Sequence, residues 1–147
     1  MTRPGEPMTG GCVFCDIVAR QEETSLVHED DTVVAFMDLH PVTPGHVLVV
    51  PRAHAVGLED LDEDTGAQVW SVGHRLARAL RRSGLPCEGI NLFVCDGEAA
   101  WQTVFHFHLH VIPRSAGDGW EVSPESDVER GRSHLDVEAQ AIREAFR

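Results

Sequence analysis

Three histidines at alternate positions constrain this chain more than any other feature of its sequence. His106, His108 and His110 stand in the stretch VFHFHLHVIPR, and the residues between them are apolar. Because the side chains of a strand alternate between its two faces, this spacing predicts a strand with the imidazoles on one face. The opposite, apolar face is expected to pack on a helix. Its members are Phe105, Phe107, Leu109 and Val111.

Three uses of the aligned imidazoles are compatible with the residues themselves. The first is a solvated strand face that happens to carry histidine. The second is a metal site, but same-face neighbours lie about 6.7 Å apart and the outer pair about 13 Å apart. One ion with bonds near 2.1 Å cannot easily gather all three, although two could share a metal with other ligands. The third is a division of labour between a nucleophile, an acid or base, and a structural imidazole.

Composition and charge narrow the class of protein. With 147 residues, the chain is long enough for one domain with its own core. A formal net charge of −12 argues against a nucleic-acid polymer as partner, since such a partner requires a basic surface. No apolar run approaches the roughly 20 residues of a membrane span, and the first residues lack the apolar core of a signal peptide. Four cysteines without an export signal favour reduced thiols and a cytoplasmic location.

Local patterns predict an α+β domain around an antiparallel sheet of about five strands. The strands are expected in TSLVHED, TVVAFMD, HVLVVP, GINLFVCD and VFHFHLHVIP. A short helix is expected in CVFCDIVAR, a long one from about Asp62 to Arg82, and a C-terminal one in LDVEAQAIREAF. The expected inner faces are Val69, Gly73, Leu76 and Leu80 for the long helix, and Leu135, Ala139, Ile142 and Phe146 for the C-terminal one.

The same patterns predict how the chain is divided. Residues 1–11 are expected to be a disordered N-terminal lead, and residues 12–147 a single domain that ends in a helical tail. The polar stretch RSAGDGWEVSPESDVERGRS between the last strand and the tail is expected to be mobile or bound to a partner. Cys12 and Cys15 form a CxxC pair that suits a redox couple, two metal ligands or two small hydrophobic residues, but the βαβ unit of a thioredoxin-like site is not predicted.

The chain resembles the histidine triad (HIT) superfamily of nucleotide hydrolases and transferases. HFHLHVI matches its signature, and CVFCDIVARQE, VVAFMDLHPVTPGHVLVVPRAH and WQTVFHFHLHVIPRSAGDGW follow in the family's order and spacing. The resemblance covers roughly Cys12 to Trp120. It implies a HIT-like fold, with a five-stranded antiparallel sheet, one long helix, a short N-terminal helix and a C-terminal helix. It also implies a two-fold homodimer.

The resemblance implies an enzyme that hydrolyses purine nucleoside phosphoramidates, or related adenylated or dinucleotide compounds, at the α-phosphate. His108 would attack phosphorus and form a nucleotidyl-histidine intermediate, which water then releases. His110 would donate a hydrogen bond to the bridging atom or help to protonate the leaving group. Histidine at this position favours hydrolysis, because related transferases often have glutamine there. The alternatives are a nucleotidyl transferase or dinucleoside polyphosphate phosphorylase, and a nucleotide-binding scaffold with little turnover.

The family also implies which residues bind the nucleotide. Gln102 and Thr103 would donate hydrogen bonds to phosphate oxygens, and Asp38 would accept both ribose hydroxyls. The purine slot would be lined by Phe14, Ile17, Phe36, Met37 and Leu39. Ordinary structural explanations also fit these residues: polar turns for the first three, and apolar core for the slot.

Several bacterial relatives of this kind bind zinc through a CxxC pair, the histidine of PRAH and the first histidine of the triad. The matching residues here are Cys12, Cys15, His54 and His106. Two thiolates and two imidazoles suit tetrahedral zinc. The resemblance therefore implies a structural zinc ion that ties the N-terminal helix to the histidine strand. His46 is interpreted as a structural hydrogen-bonding residue.

The chain departs from the family pattern at two positions. Trp101 stands where glycine often precedes the glutamine and allows the backbone to approach phosphate closely. Cys95 stands where many eukaryotic relatives have an asparagine. Both differences bear on the leaving group of the substrate. Trp120 is expected to belong to a segment that reaches the site of a neighbouring protomer, and Cys87, like Cys95, is expected to be unpaired.

Overall fold

This computed structural model describes residues 11–122 and 126–146, which contain five strands and three α-helices. In chain order the elements are α1 (Val13–Val18), β1 (Leu26–Glu29), β2 (Val33–Met37), β3 (Val47–Pro51), α2 (Glu63–Arg82), β4 (Gly89–Val94), a 3₁₀ turn (Glu98–Ala100), β5 (Leu109–Arg114) and α3 (Arg132–Ala145). All neighbouring strands pair antiparallel, in the order β1-β2-β3-β5-β4. The predicted α+β architecture is confirmed. Residues 1–10 of the predicted lead lie outside the described residues.

The sheet is covered on both faces, and β3 runs through its centre. All five residues of β3 are buried, and their side chains alternate between two apolar clusters. Val47 and Val49 belong to the cluster on the α2 side, whereas Leu48 and Val50 belong to the cluster on the α1 side. A strand buried on both faces reads as a continuous apolar run, which is how VLVV appears in the sequence.

α2 begins one residue after the predicted Asp62, which is its N-cap, and buries three of the four residues of the predicted face. The Asp62 carboxylate accepts a hydrogen bond from the Thr65 backbone N–H, which satisfies one of the free donors of the first turn. Leu76 is half-buried and packs against the edge of the α2-side cluster. The buried residues of this helix are Val69, Val72, Gly73, Ala77 and Leu80.

The histidine strand is shorter than the sequence predicts. β5 begins at Leu109, so the first two histidines lie in the loop that precedes it. The last pair between β3 and β5 joins Val49 to Leu109. Before that point the backbone instead bonds to the loop after β3, where the Phe107 N–H donates to the Ala55 carbonyl oxygen at 2.6 Å. The alternation of faces nevertheless persists through this loop.

The apolar face predicted for the histidine stretch is confirmed for three of its four members. Phe107, Leu109 and Val111 are buried in the α2-side cluster. Phe105 was predicted to pack with them, and this is wrong, because its side chain is 51% exposed. Phe105 precedes Phe107, whose backbone forms the hydrogen bond to the loop after β3.

α3 is the predicted C-terminal helix, and none of its residues is buried. The apolar side chains predicted for its inner face include Ile142 and Phe146, and both are exposed. The assignment of residues 12–147 to one domain with a helical tail stays a prediction. Within residues 11–122 and 126–146, no helix has both the length and the apolar character that crossing a bilayer requires.

The polar connection after β5 begins with a hydrogen-bonded loop, and the expectation that the connection is mobile or bound to a partner stays a prediction. The Asp118 carboxylate accepts hydrogen bonds from the Arg114 guanidinium and from the backbone N–H groups of Ser115 and Trp120. Residues 123–125, in the middle of the connection, lie outside the described residues.

A side chain at Gly73 would collide with the sheet. A Cβ atom there would lie 2.5 Å from Cδ2 of Leu109, which is itself buried. We expect Gly73→Val to lower the free energy of unfolding by about 1–3 kcal/mol, because overpacking a close-packed core forces strain. Ala79→Val, on the exposed side of α2, should cost less than about 1 kcal/mol. Urea denaturation measures both values, and equal losses would contradict close packing at Gly73.

Candidate functional site

Two cysteines and two histidines converge beside α1. Cys12, Cys15, His54 and His106 each offer one ligand atom, and these four atoms lie within 4.8 Å of one another. Nδ1 of His106 is 3.4 Å from each Sγ and 3.2 Å from Nδ1 of His54. A tetrahedral zinc ion would hold such donors about 3.3–3.6 Å apart. The structure therefore brings together the four ligands that the family resemblance implies, in an arrangement that can hold a metal ion.

Hydrogen bonds to the backbone orient two of these ligands and fix the protonation of one. Cys12 is the N-cap of α1, and its Sγ accepts the backbone N–H of Cys15 at 3.3 Å. Nε2 of His106 lies 2.8 Å from the carbonyl oxygen of Pro51, to which it must donate. A neutral imidazole has a single N–H, so we assign the proton to Nε2. The lone pair of Nδ1 then points at the other ligands, as a metal-binding histidine requires.

His108 is buried next to this cluster and has one tautomer. Its Nδ1 lies 2.7 Å from the carbonyl oxygen of His106, which can only accept, so Nδ1 carries the proton. Nε2 is therefore the unprotonated, basic atom of the ring. The ring centroid lies 5.0 Å from that of Phe14, in an edge-on contact, and 4.8 Å from that of His110.

His110 is the end of a hydrogen-bonded chain that starts at the backbone. The Val42 N–H donates to Nδ1 of His46 at 3.1 Å, so the proton of neutral His46 is on Nε2. That Nε2 lies 3.0 Å from Nδ1 of His110 and 3.5 Å from Oδ2 of Asp38. His46 therefore donates to His110, and the N–H of His110 is on its own Nε2. The interpretation of His46 as a structural hydrogen-bonding residue is confirmed.

The side chains of Asp38, His46 and His110 also lie close enough together to suggest a second metal site. Protonation argues against it. Nδ1 of His46 already accepts the Val42 N–H, so a metal on Nε2 would require a doubly deprotonated ring. We interpret this group as a hydrogen-bonded chain, in which Asp38 stabilises the donor, His46.

Burial favours the neutral form of His46, His106, His108 and His110. It lowers the pKa of His106 and of His110 to about 4, and repulsion from neighbouring imidazoles adds to the shift at both. Burial is also the main reason why the pKa values of His46 and His108 are lowered. The Asp38 carboxylate opposes the shift at His46, His108 and His110 without reversing it. Neutral imidazole is the form that attacks phosphorus and binds metals.

Two of the residues predicted to bind ribose and phosphate, Asp38 and Thr103, lie on different sides of the site. Oδ1 of Asp38 accepts the His40 backbone N–H at 2.9 Å, while Oδ2 faces His46. Thr103 is exposed, and with Cys12 it lines a cavity of about 440 Å³ on the metal side of the site. Their roles towards a nucleotide stay predictions.

Gln102 has different partners from those that the sequence suggests. Its Oε1 accepts the Gly97 N–H at 2.8 Å, and its Nε2 donates to the carbonyl oxygens of Val56 at 2.7 Å and Val104 at 3.1 Å. The bond to Val56 joins the loop that contains Gln102 to the loop after β3, and the other two bonds lie within the loop of Gln102 itself. A hydrogen bond to phosphate would replace at least one of them, so that role also stays a prediction.

The five residues predicted for the purine slot do not share one surface. Phe14 and Phe36 pack together on the histidine face of the sheet, with Ile17 beside them. Met37 lies on the opposite face, where it packs against the α2-side cluster. Successive residues of β2 point to opposite faces, and the role of Met37 in the slot stays a prediction. Leu39 is 87% exposed and belongs to the loop after β2.

The two departures from the family pattern have distinct structural settings. Trp101 follows the 3₁₀ turn with a φ of 69°, a left-handed conformation that bulky residues rarely adopt and that glycine adopts freely. Its side chain is 75% exposed. Cys95 and Cys87 are free thiols, as predicted, and burial raises the pKa of Cys95.

One aromatic residue next to His110 was missed from the sequence, and a second, which packs on the first, was expected in a different role. Phe93 is the partner of His110 across β4 and β5, and the two rings stack with centroids 4.6 Å apart. Trp120 stacks on Phe93 of its own chain, with centroids 5.9 Å apart. Only the register of β4 against β5, which no local pattern specifies, could have identified Phe93. The prediction that Trp120 reaches a neighbouring protomer concerns a partner chain and stays a prediction.

Comparison with known proteins shows which family has this fold and site. A family model described as the HIT domain matches residues 19–117. An uncharacterized HIT-like protein of Mycobacterium tuberculosis is 41% identical over 112 residues, which are 76% of this chain and 77% of the relative. A Zn-bound histidine triad family protein from Mycobacterium smegmatis is 45% identical, with a TM-score of 0.72, over 79% of this chain and 84% of that one. A HIT family protein from Bacillus anthracis is 37% identical, with a TM-score of 0.85, over 92% of this chain and 97% of that one.

Fold and site together define an α+β protein in which buried neutral imidazoles lie beside a cysteine–histidine cluster that can hold a metal. The family match covers more than half of the chain. The chain belongs to the HIT domain family, and the resemblance identified from the sequence is confirmed.

Acid should destabilise the protein through His110. The folded pKa of about 4 lies below the ordinary value of 6.5, so the unfolded chain takes up the proton more readily. The stabilising contribution is complete above pH 6.5 and disappears as the pH falls to about 4, by at most about 3 kcal/mol. Urea denaturation at pH 7 and at pH 4.5 measures the loss. His110→Asn should show a smaller loss than the wild type, and an identical pH dependence would contradict the depressed pKa.

Proposed function

We propose that this protein is a nucleotide-binding hydrolase that cleaves purine nucleoside phosphoramidates, or related adenylated and dinucleotide compounds, at the α-phosphate. The observation that supports this best is the tautomer of His108. Its Nδ1 proton is held by the His106 carbonyl oxygen, so Nε2 has a free lone pair. Burial lowers its pKa, which keeps that lone pair unprotonated at neutral pH. This is the state of a nucleophilic imidazole.

The reaction would proceed in two displacements at phosphorus. Nε2 of His108 bonds to the α-phosphorus, and the leaving group departs with the bonding electron pair and takes a proton from solvent. Water then bonds to phosphorus, the P–N bond to His108 breaks, and its electron pair returns to Nε2. The second step yields the nucleoside monophosphate and returns a proton to solvent, which balances the proton that the leaving group took up in the first step. Two displacements replace one difficult step with two easier ones.

His110 would act as a hydrogen-bond donor in both steps. Its Nδ1 accepts from His46, so its Nε2–H is available to the bridging atom or to a phosphate oxygen. Loss of that proton would leave an imidazolate unless His46 supplied another, and the pKa of about 4 means that no second proton is stored on the ring at pH 7. This favours stabilisation of developing charge over outright acid catalysis. Asp38 would accept the ribose hydroxyls.

A transferase or phosphorylase and a scaffold with little turnover are the competing functions. The dependence of turnover on added inorganic phosphate distinguishes these functions from a hydrolase. A hydrolase turns over in its absence, a phosphorylase is accelerated by it, and a scaffold binds nucleotide without releasing product.

We further propose that the metal held by Cys12, Cys15, His54 and His106 is zinc. Two thiolates and two imidazoles complete a tetrahedral shell, so the ion would have a structural role with no open position for a substrate. A relative with 45% identity is Zn-bound. The chain's own contribution is to hold Nδ1 of His106 unprotonated through the Pro51 carbonyl oxygen.

We also propose a cytoplasmic homodimer. The free cysteines suit a reducing compartment. The edge strand β4 and the exposed apolar side chains of α3 provide surfaces that a second copy could cover.

His108→Ala should abolish hydrolysis of an adenosine phosphoramidate, with turnover lower by about 10³-fold or more because the nucleophile is absent, while nucleotide binding survives. Mass spectrometry of quenched reactions should detect a nucleotidyl adduct on wild type and none on the variant. The matched control is His74→Ala, which removes an exposed histidine of α2 and should retain wild-type turnover. Near wild-type turnover of His108→Ala would refute the mechanism.

The purified protein should contain about one zinc ion per chain. Cys12→Ser should lose it, because serine is a poor zinc ligand, and should melt at a lower temperature. Cys87→Ser, which changes a free thiol outside the cluster, should keep both zinc content and melting temperature. Elemental analysis and thermal denaturation measure the two properties. A folded wild-type protein without zinc would remove this proposal.

A further inference from the structure

The ring of His110 contacts His46, Phe93 and His108, and the first two contacts restrain it in different ways. The hydrogen bond from His46 reaches one edge of the ring at Nδ1. Phe93 lies against one face, with an angle of 23° between the ring planes. A single hydrogen bond fixes a direction but leaves the ring free to tilt about it. The stacked contact fixes the plane, and therefore the direction in which the Nε2–H points.

Phe93 does not hold this position alone. It lies on the edge strand β4 and is only half-buried. The indole of Trp120 covers it, with an angle of 17° between the ring planes. The guanidinium of Arg114 lies 4.7 Å from the centroid of the indole ring. Four planar groups, Arg114, Trp120, Phe93 and His110, thus form one continuous stack.

The loop after β5 is built to place Trp120 in this stack. Asp118 accepts hydrogen bonds from Arg114 at 2.7 and 2.9 Å and from the Trp120 N–H at 3.2 Å. Gly117 and Gly119 on either side have φ values of 73° and 85°, which glycine adopts without strain. The bond between Arg114 and Asp118 holds the pKa of Asp118 well below its usual range, so its charge is permanent at neutral pH.

We propose that Trp120 is a positioning residue that acts through Phe93 to hold His110 in its productive orientation. The loop of residues 114–120 contacts no reacting group in the proposed reaction, and this inference gives it an indirect role through His110. This inference rests on the proposed role of His110 as a hydrogen-bond donor. Small errors in the orientation of a reacting group are costly, since a misplacement of about 1 Å can reduce the rate by about 10²-fold.

The test compares Trp120→Ala with the conservative variant Trp120→Phe and with Trp70→Ala, which removes an exposed tryptophan from α2. The first readout is the imidazole NMR spectrum of the substrate-free protein. Trp120→Ala should shift and broaden the His110 signals, because Phe93 loses its cover, and should leave the signals of His74 unchanged. Trp120→Phe should restore most of the shift, and Trp70→Ala should have no effect on His110.

The second readout is steady-state turnover of an adenosine phosphoramidate. Trp120→Ala should lower kcat by about tenfold with KM within about twofold, and Trp120→Phe should recover most of the loss. Asp118→Asn should resemble Trp120→Ala in both readouts, because the loop would lose its charged centre.

The outcomes separate this inference from the proposed function. A wild-type protein without turnover would refute the proposed function, while the NMR arm would still decide whether Trp120 positions His110. A wild-type protein with turnover, whose Trp120→Ala variant keeps its kcat and His110 signals, would refute the inference alone. A rise in KM at unchanged kcat would also refute it, because Trp120 would then contact the substrate directly.

Discussion

The hydrogen bond from His106 to the carbonyl oxygen of Pro51 is the constraint on which the rest of the site depends. It assigns the single proton of His106 to Nε2 and turns the lone pair of Nδ1 towards the two cysteines and His54. The backbone of the same residue then accepts the Nδ1 proton of His108. One residue thus faces the metal cluster with its side chain and sets the tautomer of its neighbour with its backbone. The metal cluster and the tautomer of His108 are therefore linked, because both depend on the path of the loop before β5.

A second chain of hydrogen bonds, from Val42 through His46, specifies the protonation of His110. Backbone groups begin or end each chain, and backbone groups do not titrate. Burial lowers the pKa values of His46, His106, His108 and His110. A set of histidines that would be a mixture of charge states and tautomers in water becomes a set of fixed donors and acceptors. The preorganisation of such groups is a large part of what a protein contributes to a reaction that develops charge.

Much of the fold was predictable from local patterns, and the reasons for the failures are specific. The continuous apolar run of β3 and the acidic start of α2 are local signals, and both elements appear where expected. The start of β5 is not local. It depends on where β3 stops pairing, so the alternation of apolar residues predicted a strand several residues too long. The four metal ligands came from the family resemblance, since CxxC alone left three interpretations. Met37 and Gln102 were assigned by the same resemblance, and the structure gives each of them different neighbours. Phe93 could not be found at all, because only the pairing of β4 with β5 brings it to His110.

The shortness of α1 has a consequence for how the molecule moves. A helix of six residues cannot persist by itself, since the cost of nucleation is not recovered over so few hydrogen bonds. It is held by Phe14, in contact with the rings of His106 and His108, and by Ile17 and Val18, which pack against the same apolar cluster. An ion bound to Cys12 and Cys15 would hold it further. Loss of that ion would therefore release α1 as a separate opening unit while the sheet and α2 stay folded. Amide exchange in residues 13–18 would then report on the occupancy of the cluster, and each opening would remove one wall from the ring of His108.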